Sequence, residues 1–294
     1  MKREKIIISV SSDIAGLFGR PEELVEVYSD CRKIVNFGLE VICWRRINRQ
    51  YFERVRKLGM QINGLHGPVN TIEESFHGPW LHQLKGKAID SLMIRNYRLR
   101  ELSLVNPAAY VLVHQSLVNL PKDFEEMIKI ASGFDKKAVL LVENLTRSGS
   151  IYKTIEDVQE LIERGVGAGV MIDLVHLVKD IAGSHQNISV VTINKYWQKV
   201  LSEIERVATK INVVGFHIPI GLNGYDSLPV DEMEKKRWTE FAEITAKYTS
   251  VKFKTIENQR SERRMLFPIS KQEMKMLQER NYRIMSDLEQ AGVI

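Results

Sequence analysis

Short β-branched runs and helical stretches alternate along the whole chain, and this rhythm constrains the fold more than any other feature. The strand-like runs are "KIIISV" (5–10), "VICWRR" (41–46), "QINGLHGP" (61–68), "AYVLVHQS" (109–116), "AVLLVEN" (138–144), "AGVMID" (168–173), "INVVGFHI" (211–218) and "SVKFKTIEN" (250–258). Between and after them, amphipathic spacing predicts helices over 21–38, 49–59, 80–105, 122–133, 154–165, 193–209, 230–248 and 270–291. Pro21 marks the start of the first helix and Gly38 its stop, while Thr154 is placed to cap the fifth. Near-continuous apolar strands separated by helices belong to a parallel sheet covered on both faces. Eight such units in 294 residues match a (β/α)8 TIM barrel. The expected organisation is a single barrel domain over 1–294 with a C-terminal helix.

An open doubly wound sheet is the competing architecture. No Gly-x-Gly-x-x-Gly follows a strand, which argues against a dinucleotide-binding version of it. "GVGAG" (165–169) precedes a strand and reads as a helix stop. The chain is 44% hydrophobic and 27% charged, which is ordinary for a globular protein that is not embedded in lipid. No apolar run approaches the roughly 20 residues of a membrane helix, so no membrane partner is expected. Cys31 and Cys43 are too few for a disulfide framework or a zinc knuckle, and a reducing, cytoplasmic setting is the default. Cys31 reads as core. The net charge of +5 fits phosphorylated substrates or nucleic acid, but reads first as an ordinary basic surface.

In a barrel of this kind the chemistry sits at the C-terminal ends of the strands. Read in order, the strand ends are His66, His114, Glu143, Asp173, His217 and Glu257. All are residue types that ligate borderline or hard divalent cations. Six such groups aimed at one barrel mouth are costly to bury unless they share a cation or each other. The stretch "GVMIDLVH" (169–176) adds a puzzle, because residues an odd number of positions apart on one strand face opposite ways. Asp173 and His176 converge only if the strand stops at Asp173 and the chain bends. His176 then leans in from the loop as a second-tier ligand or a substrate contact. Arg260, Arg263 and Arg264 follow the last strand, where barrels often bind phosphate, although the residues read first as a solvated charge run. Trp44 and Arg46 line the pocket or pack between helices, and His77, His82 and His185 read as surface residues.

The ordered set "HGPVN" (66–70), "VHQS" (113–116), "ENLTRSGS" (143–150), "DLVH" (173–176), His217 and Glu257 resembles the xylose isomerase-like TIM barrels. That superfamily includes sugar and sugar-phosphate isomerases and epimerases, and endonuclease IV. The isomerase and epimerase resemblance implies one divalent ion, Zn2+, Mn2+ or Mg2+, held by Glu143, Asp173, His217 and Glu257. Glu143 and Glu257 then move the proton from well-separated points around the wall, while His66, His114, His176 and Arg260 contact a small-molecule sugar or sugar phosphate. The endonuclease IV resemblance implies up to three zinc ions and a DNA substrate, as in abasic-site cleavage. His66, His114 and Glu143 would hold the first, Glu143, Asp173, His217 and Glu257 the second, and His176 with Asp226 the third. Two departures weigh against that branch. Leu228 stands where the third ion needs a histidine, and Val69 replaces an aromatic residue after the His-x-Pro of strand 3. Lyase or dehydratase chemistry on a similar site, and a non-catalytic sugar-binding barrel, are further alternatives. The sequence leaves the oligomeric state open.

Overall fold

The computed structural model describes residues 6–12, 20–34, 37–42, 48–67, 108–113, 138–144, 154–165, 167–183, 189–220, 235–258 and 269–294. Eight parallel strands close into a barrel in sequence order. They are β1 (Ile7–Ser11), β2 (Gly38–Ile42), β3 (Ile62–His66), β4 (Tyr110–Val113), β5 (Val139–Glu143), β6 (Gly169–Asp173), β7 (Val214–Ile220) and β8 (Val251–Asn258). β1 pairs with both β2 and β8, which completes the ring. The helices among the described residues are α1 (Pro21–Val27), α2 (Arg49–Lys57), α3 (Ile155–Glu163), α4 (Leu174–Ala182), α5 (Val190–Lys210), α6 (Lys235–Lys247) and α7 (Lys271–Gln290). None of them is long and apolar enough to cross a membrane. The expected (β/α)8 fold is the observed one.

The alternation of strand side chains divides the core in two. Outward residues such as Leu39, Val41, Leu65, Val142, Val170, Ile172 and Phe216 pack with helix residues including Leu24, Phe52, Val158 and Trp197. Inside the barrel, a smaller group of Tyr110, Leu112, Leu141, Met171 and Phe253 fills the lower part. Polar side chains stand among them and above them: Ser9, Glu40, Thr255, His66, Glu143, Asp173, His217 and Glu257 are all buried. The described sheet is thus mainly apolar towards the helices, with Lys254 a buried exception, and mixed towards its own axis.

Several expected boundaries change. The helix over 21–38 is two pieces, α1 and a 3-10 turn at Cys31–Lys33. Ser29 and Asp30 fall between them, and both are residue types that compete with a helical backbone. Gly38 is no helix stop. It opens β2, and a Cβ there would lie 2.4 Å from the Asn63 side chain, which needs that space to donate to the Ile8 carbonyl at 2.9 Å. Strand β2 therefore starts at Gly38, before the expected 41–46 of which 43–46 lie outside the described residues, and it includes Glu40. Helix α4 is absent from the expected pattern. It starts immediately after β6, so the apolar residues of strand and helix form one run that periodicity alone cannot divide. Other expectations hold. Thr154 caps α3 in a reciprocal capping box with Asp157. Gly165 and Gly167 adopt positive φ between α3 and β6. Cys31 is buried, and burial pushes its thiol up to about 12. The helices expected over 80–105 and 122–133 lie outside the described residues, as do His77, His82, His185, Trp44 and Arg46.

Candidate metal centre

Of the six expected strand-end groups, five fall among the described residues, and the barrel brings all five together. His66, Glu143 and Asp173 are the last residues of β3, β5 and β6. His217 is not a strand end, because β7 continues alongside β8 to the Ile220–Asn258 pair, and Glu257 is the penultimate residue of β8. His114, Asp226, Arg260, Val69 and Leu228 lie outside the described residues.

His217 is the hub. Its Nδ1 lies 2.9 Å from Glu143 Oε1 and 3.4 Å from Glu257 Oε1, and its Nε2 lies 3.1 Å from Glu40 Oε2. Glu143 and Glu257 start from strands three apart in the barrel but meet at one nitrogen. Their points of departure on the wall are well separated, and only the carboxylate ends converge. The side chains are long enough to converge on the axis, and the shared imidazole draws them there. Glu143, Asp173 and His217 each offer a ligand atom within 4.8 Å of the others, and so do Glu40, His66, His217 and Glu257.

Asp173 has two roles. Its Oδ1 accepts the backbone N–H of His176 at 2.9 Å and caps α4, which starts the helix straight from the strand. The bend expected after Asp173 is thus a helix N-terminus, and His176 sits in its first turn instead of a loop. His176 is buried beside the cluster. Asn144 fixes the aspartate's backbone: its Oδ1 accepts from Asp173 N at 2.7 Å and its Nδ2 donates to Asp173 O at 3.4 Å. His66 Nδ1 faces the carbonyl of Gly67, which can only accept, so Nδ1 carries the proton. Nε2 lies 3.8 Å from Glu143 Oε2. The His66 and His217 rings stack with centroids 5.3 Å apart.

A polar floor lies beneath this cluster. Tyr110 crosses the barrel from β4, and its hydroxyl donates to Glu40 Oε2 at 2.6 Å, with Thr255 Oγ1 at 2.8 Å and Ser9 Oγ at 3.3 Å. Gly64 makes the crossing possible, since a Cβ there would stand 2.3 Å from the Tyr110 ring.

Among the described residues of the site, acids outnumber imidazoles. Four buried carboxylates, on Glu40, Glu143, Asp173 and Glu257, face three histidines, His66, His176 and His217. Burial pushes the Glu257 carboxyl well above its ordinary value; His217 opposes this, and Glu143, Asp173 and Glu40 reinforce it. Burial also raises Asp173, against the pull of His176. Burial alone would lower His217, but Glu257, Glu40 and Glu143 carry it well above its usual range. Burial likewise opposes ionisation of Glu40, yet His217, His66 and the Tyr110 hydroxyl hold its carboxyl below the usual value. The cluster retains protons to offset its own negative charge. A divalent cation meets the same need, and acids with imidazole are the donor set such an ion takes. The residues present fit a metal ion.

Sequence reasoning misses Glu40, Tyr110, Thr255 and Asn144 as parts of this site. A signal for Glu40 is present: an acid inside the apolar run "GLEVI" (38–42) is either an error of assignment or a buried, partnered group. Reading the strand from Val41 hides it.

No family model matches the chain, and no curated protein matches it by sequence. Solved structures do match. An L-ribulose 3-epimerase superimposes with a TM-score of 0.54 at 14% identity, covering 98% of this chain and 96% of its own. Endonuclease IV from Thermus thermophilus gives a TM-score of 0.53 at 16% identity, over 97% of this chain and 99% of that one. A xylose isomerase-like TIM barrel protein from Mycobacterium smegmatis, in complex with magnesium, gives 0.53 at 12% identity over 98% of both chains.

Proposed function

We propose that this (β/α)8 barrel of the xylose isomerase-like type is a divalent-metal-dependent isomerase or epimerase of a sugar or sugar phosphate. The observation that carries this reading is the convergence of Glu143 and Glu257 on Nδ1 of His217, with Asp173 in the same buried cluster. These four residues would hold Mn2+, Mg2+ or Zn2+. When bound, the ion supplies a Lewis acid that polarises a substrate carbonyl and the neighbouring hydroxyl.

The chain's own residues do the rest. One of Glu143 and Glu257 removes the proton from the carbon next to the carbonyl, and the other returns a proton to the opposite face or the adjacent position. A ligating carboxylate is a weak base, so proximity must compensate. Asn144 and the α4 cap hold Asp173 so that its remaining oxygen is presented without a search of rotamers. His66 and His176, buried at the cluster, orient substrate hydroxyls. The Arg260 phosphate contact and the His114 substrate contact rest on the sequence alone.

The test is deuterium incorporation from heavy water into a panel of ketoses, aldoses and their phosphates. Glu143→Gln and Glu257→Gln are each expected to slow exchange by about a hundredfold or more. Exchange at the wild-type rate in either variant makes that glutamate a ligand only.

A second reading is zinc-dependent phosphodiester hydrolysis of the endonuclease IV kind. It is favoured by His66, whose Nε2 lies 3.8 Å from Glu143 Oε2, an approach that would let Glu143 bridge two ions. Two or three zinc ions per chain and incision of duplex DNA at an abasic site would support it. One ion per chain and no incision support the isomerase. Leu228 leaves His176 and Asp226 short of the three protein ligands a catalytic zinc ordinarily keeps.

A further inference from the structure

Glu40 lies below the candidate ligands, on β2, and is fully buried. We propose that Glu40 is a positioning residue for His217, accepting its Nε2–H and thereby turning Nδ1 towards Glu143, Asp173 and Glu257. The proposal rests on the reading that those residues hold a divalent ion.

The two sides of the His217 ring differ in kind. On the Nδ1 side stand two carboxylates, Glu143 at 2.9 Å and Glu257 at 3.4 Å, with Asp173 in the same cluster. On the Nε2 side Glu40 Oε2 stands at 3.1 Å and is already committed to donors. Tyr110 reaches that oxygen at 2.6 Å and Thr255 at 3.1 Å. An oxygen receiving two hydroxyls and a ring N–H is a held anion, poorly placed to bind a cation as well. A neutral imidazole has one N–H and one lone pair. Both ring nitrogens face carboxylates here; with Nε2–H kept by Glu40, Nδ1 is the nitrogen whose lone pair would face an ion held by the other acids. The His66 ring, stacked on His217 with 11° between the planes, stops the ring from turning away.

The arrangement is costly, which also argues for a role. Glu40 Oε1 is buried with no hydrogen-bond partner among the described residues. A side chain kept only to satisfy the Tyr110 and Thr255 hydroxyls would do so at lower cost as a neutral amide or a smaller acceptor. A carboxylate behind a metal-ligating histidine fixes its tautomer and raises its basicity, and losing one typically weakens metal affinity about 10- to 100-fold.

Glu40 also falls within ligand distance of His66, His217 and Glu257, so the competing assignment makes it a ligand itself. Zn2+ alone, titrated against a chelator, is the probe, together with imidazole nitrogen resonances of the zinc-loaded, 15N-histidine-labelled chain. The wild type should show His217 metallated at Nδ1, with a far-downfield, exchange-protected proton on Nε2. Glu40→Gln keeps the shape and an acceptor but removes the charge. It should bind Zn2+ about 10- to 100-fold more weakly and shift that proton upfield. Tyr110→Phe, which leaves the carboxylate in place, should show a smaller loss of affinity. Unchanged affinity and an unmoved proton in a folded Glu40→Gln would overturn the proposal. So would an unprotonated, metallated Nε2 in the wild type, a result readable even if the variant fails to fold. Zinc held through Nδ1 with no effect of Glu40→Gln leaves the four-residue site standing while the proposal fails; zinc held through Nε2 defeats both. No zinc binding by the folded wild type defeats that reading and the proposal together.

Discussion

The two faces of the same sheet obey different rules. Towards the helices the strands present Leu39, Val41, Leu65, Val142, Val170, Ile172 and Phe216, a surface held by hydrophobic burial and close packing. Towards the barrel axis alternate residues of those strands present Glu40, His66, Glu143, Asp173 and His217, held by directional bonds and charge. The outer face stabilises the fold and tolerates little loss of volume. The inner face stores unfavourable burial that a ligand can relieve. Truncation of the apolar outer residues should therefore cost stability without touching metal affinity, and neutralising the inner carboxylates should cost metal affinity first.

The largest effect is expected from the outer face. Phe52, fully buried on α2, packs in the core shared with the sheet. Phe52→Ala should lower stability by about 3–5 kcal/mol through lost burial and a cavity. Chemical denaturation reads the loss, and zinc affinity of the remaining folded fraction should not change. A variant that loses metal affinity in proportion to stability would break the separation of the two faces.

One charged group on the outer face sharpens the comparison. Lys254 points among the helices, donates to the Val293 carbonyl at 2.7 Å and lies 5.5 Å from the centre of the Phe241 ring. Burial lowers its pKa to about 8. Between about 8 and the ordinary lysine value, the unfolded chain binds a proton that the folded chain does not. Stability therefore gains from this residue as pH rises through that window, and the penalty is fully present below it. A shift of this size corresponds to on the order of 3 kcal/mol. Lys254→Met should flatten that part of the stability profile and raise stability at neutral pH, as measured by denaturation from about pH 7 to the ordinary lysine value of about 10.4.

A smaller effect is expected where the inner face is tightest. Gly64→Ala places a Cβ against the Tyr110 ring, which three hydroxyl and carboxylate contacts hold in position. The variant should lose about 1–3 kcal/mol through overpacking. If the Tyr110 floor supports the site, its zinc affinity should fall as well. Lost stability with unchanged affinity would show that the floor serves the fold alone.

The contrast between faces also explains what the sequence can reveal. The outer face is written as runs of β-branched and aliphatic residues, and these suffice for the barrel and for placing His66, Glu143 and Asp173 at strand ends. The inner face is written as single polar residues inside those runs, whose meaning depends on register. Glu40 is hidden because Gly38 resembles a helix stop, although its role is to leave room for Asn63. Tyr110 reads as an ordinary strand aromatic, because nothing local says that Gly64 opens a path for it across the barrel. The convergence of Glu143 and Glu257 is not legible either, since side-chain reach across a barrel depends on closure. Helix α4 disappears into the strand before it because Asp173 caps without a loop.

Asp173 offers the most direct test of the central claim that the inner face is a metal centre. Asp173→Asn retains the oxygen that caps α4 and the backbone bonds to Asn144, so the fold should stand, while the charge is lost. Metal content after equilibrium dialysis against Mn2+, Mg2+ or Zn2+ is the measurement. The account predicts at least one ion per wild-type chain and none bound stably at this cluster in the variant. A full metal complement in folded Asp173→Asn, or a folded wild type that binds none of the three, would contradict it.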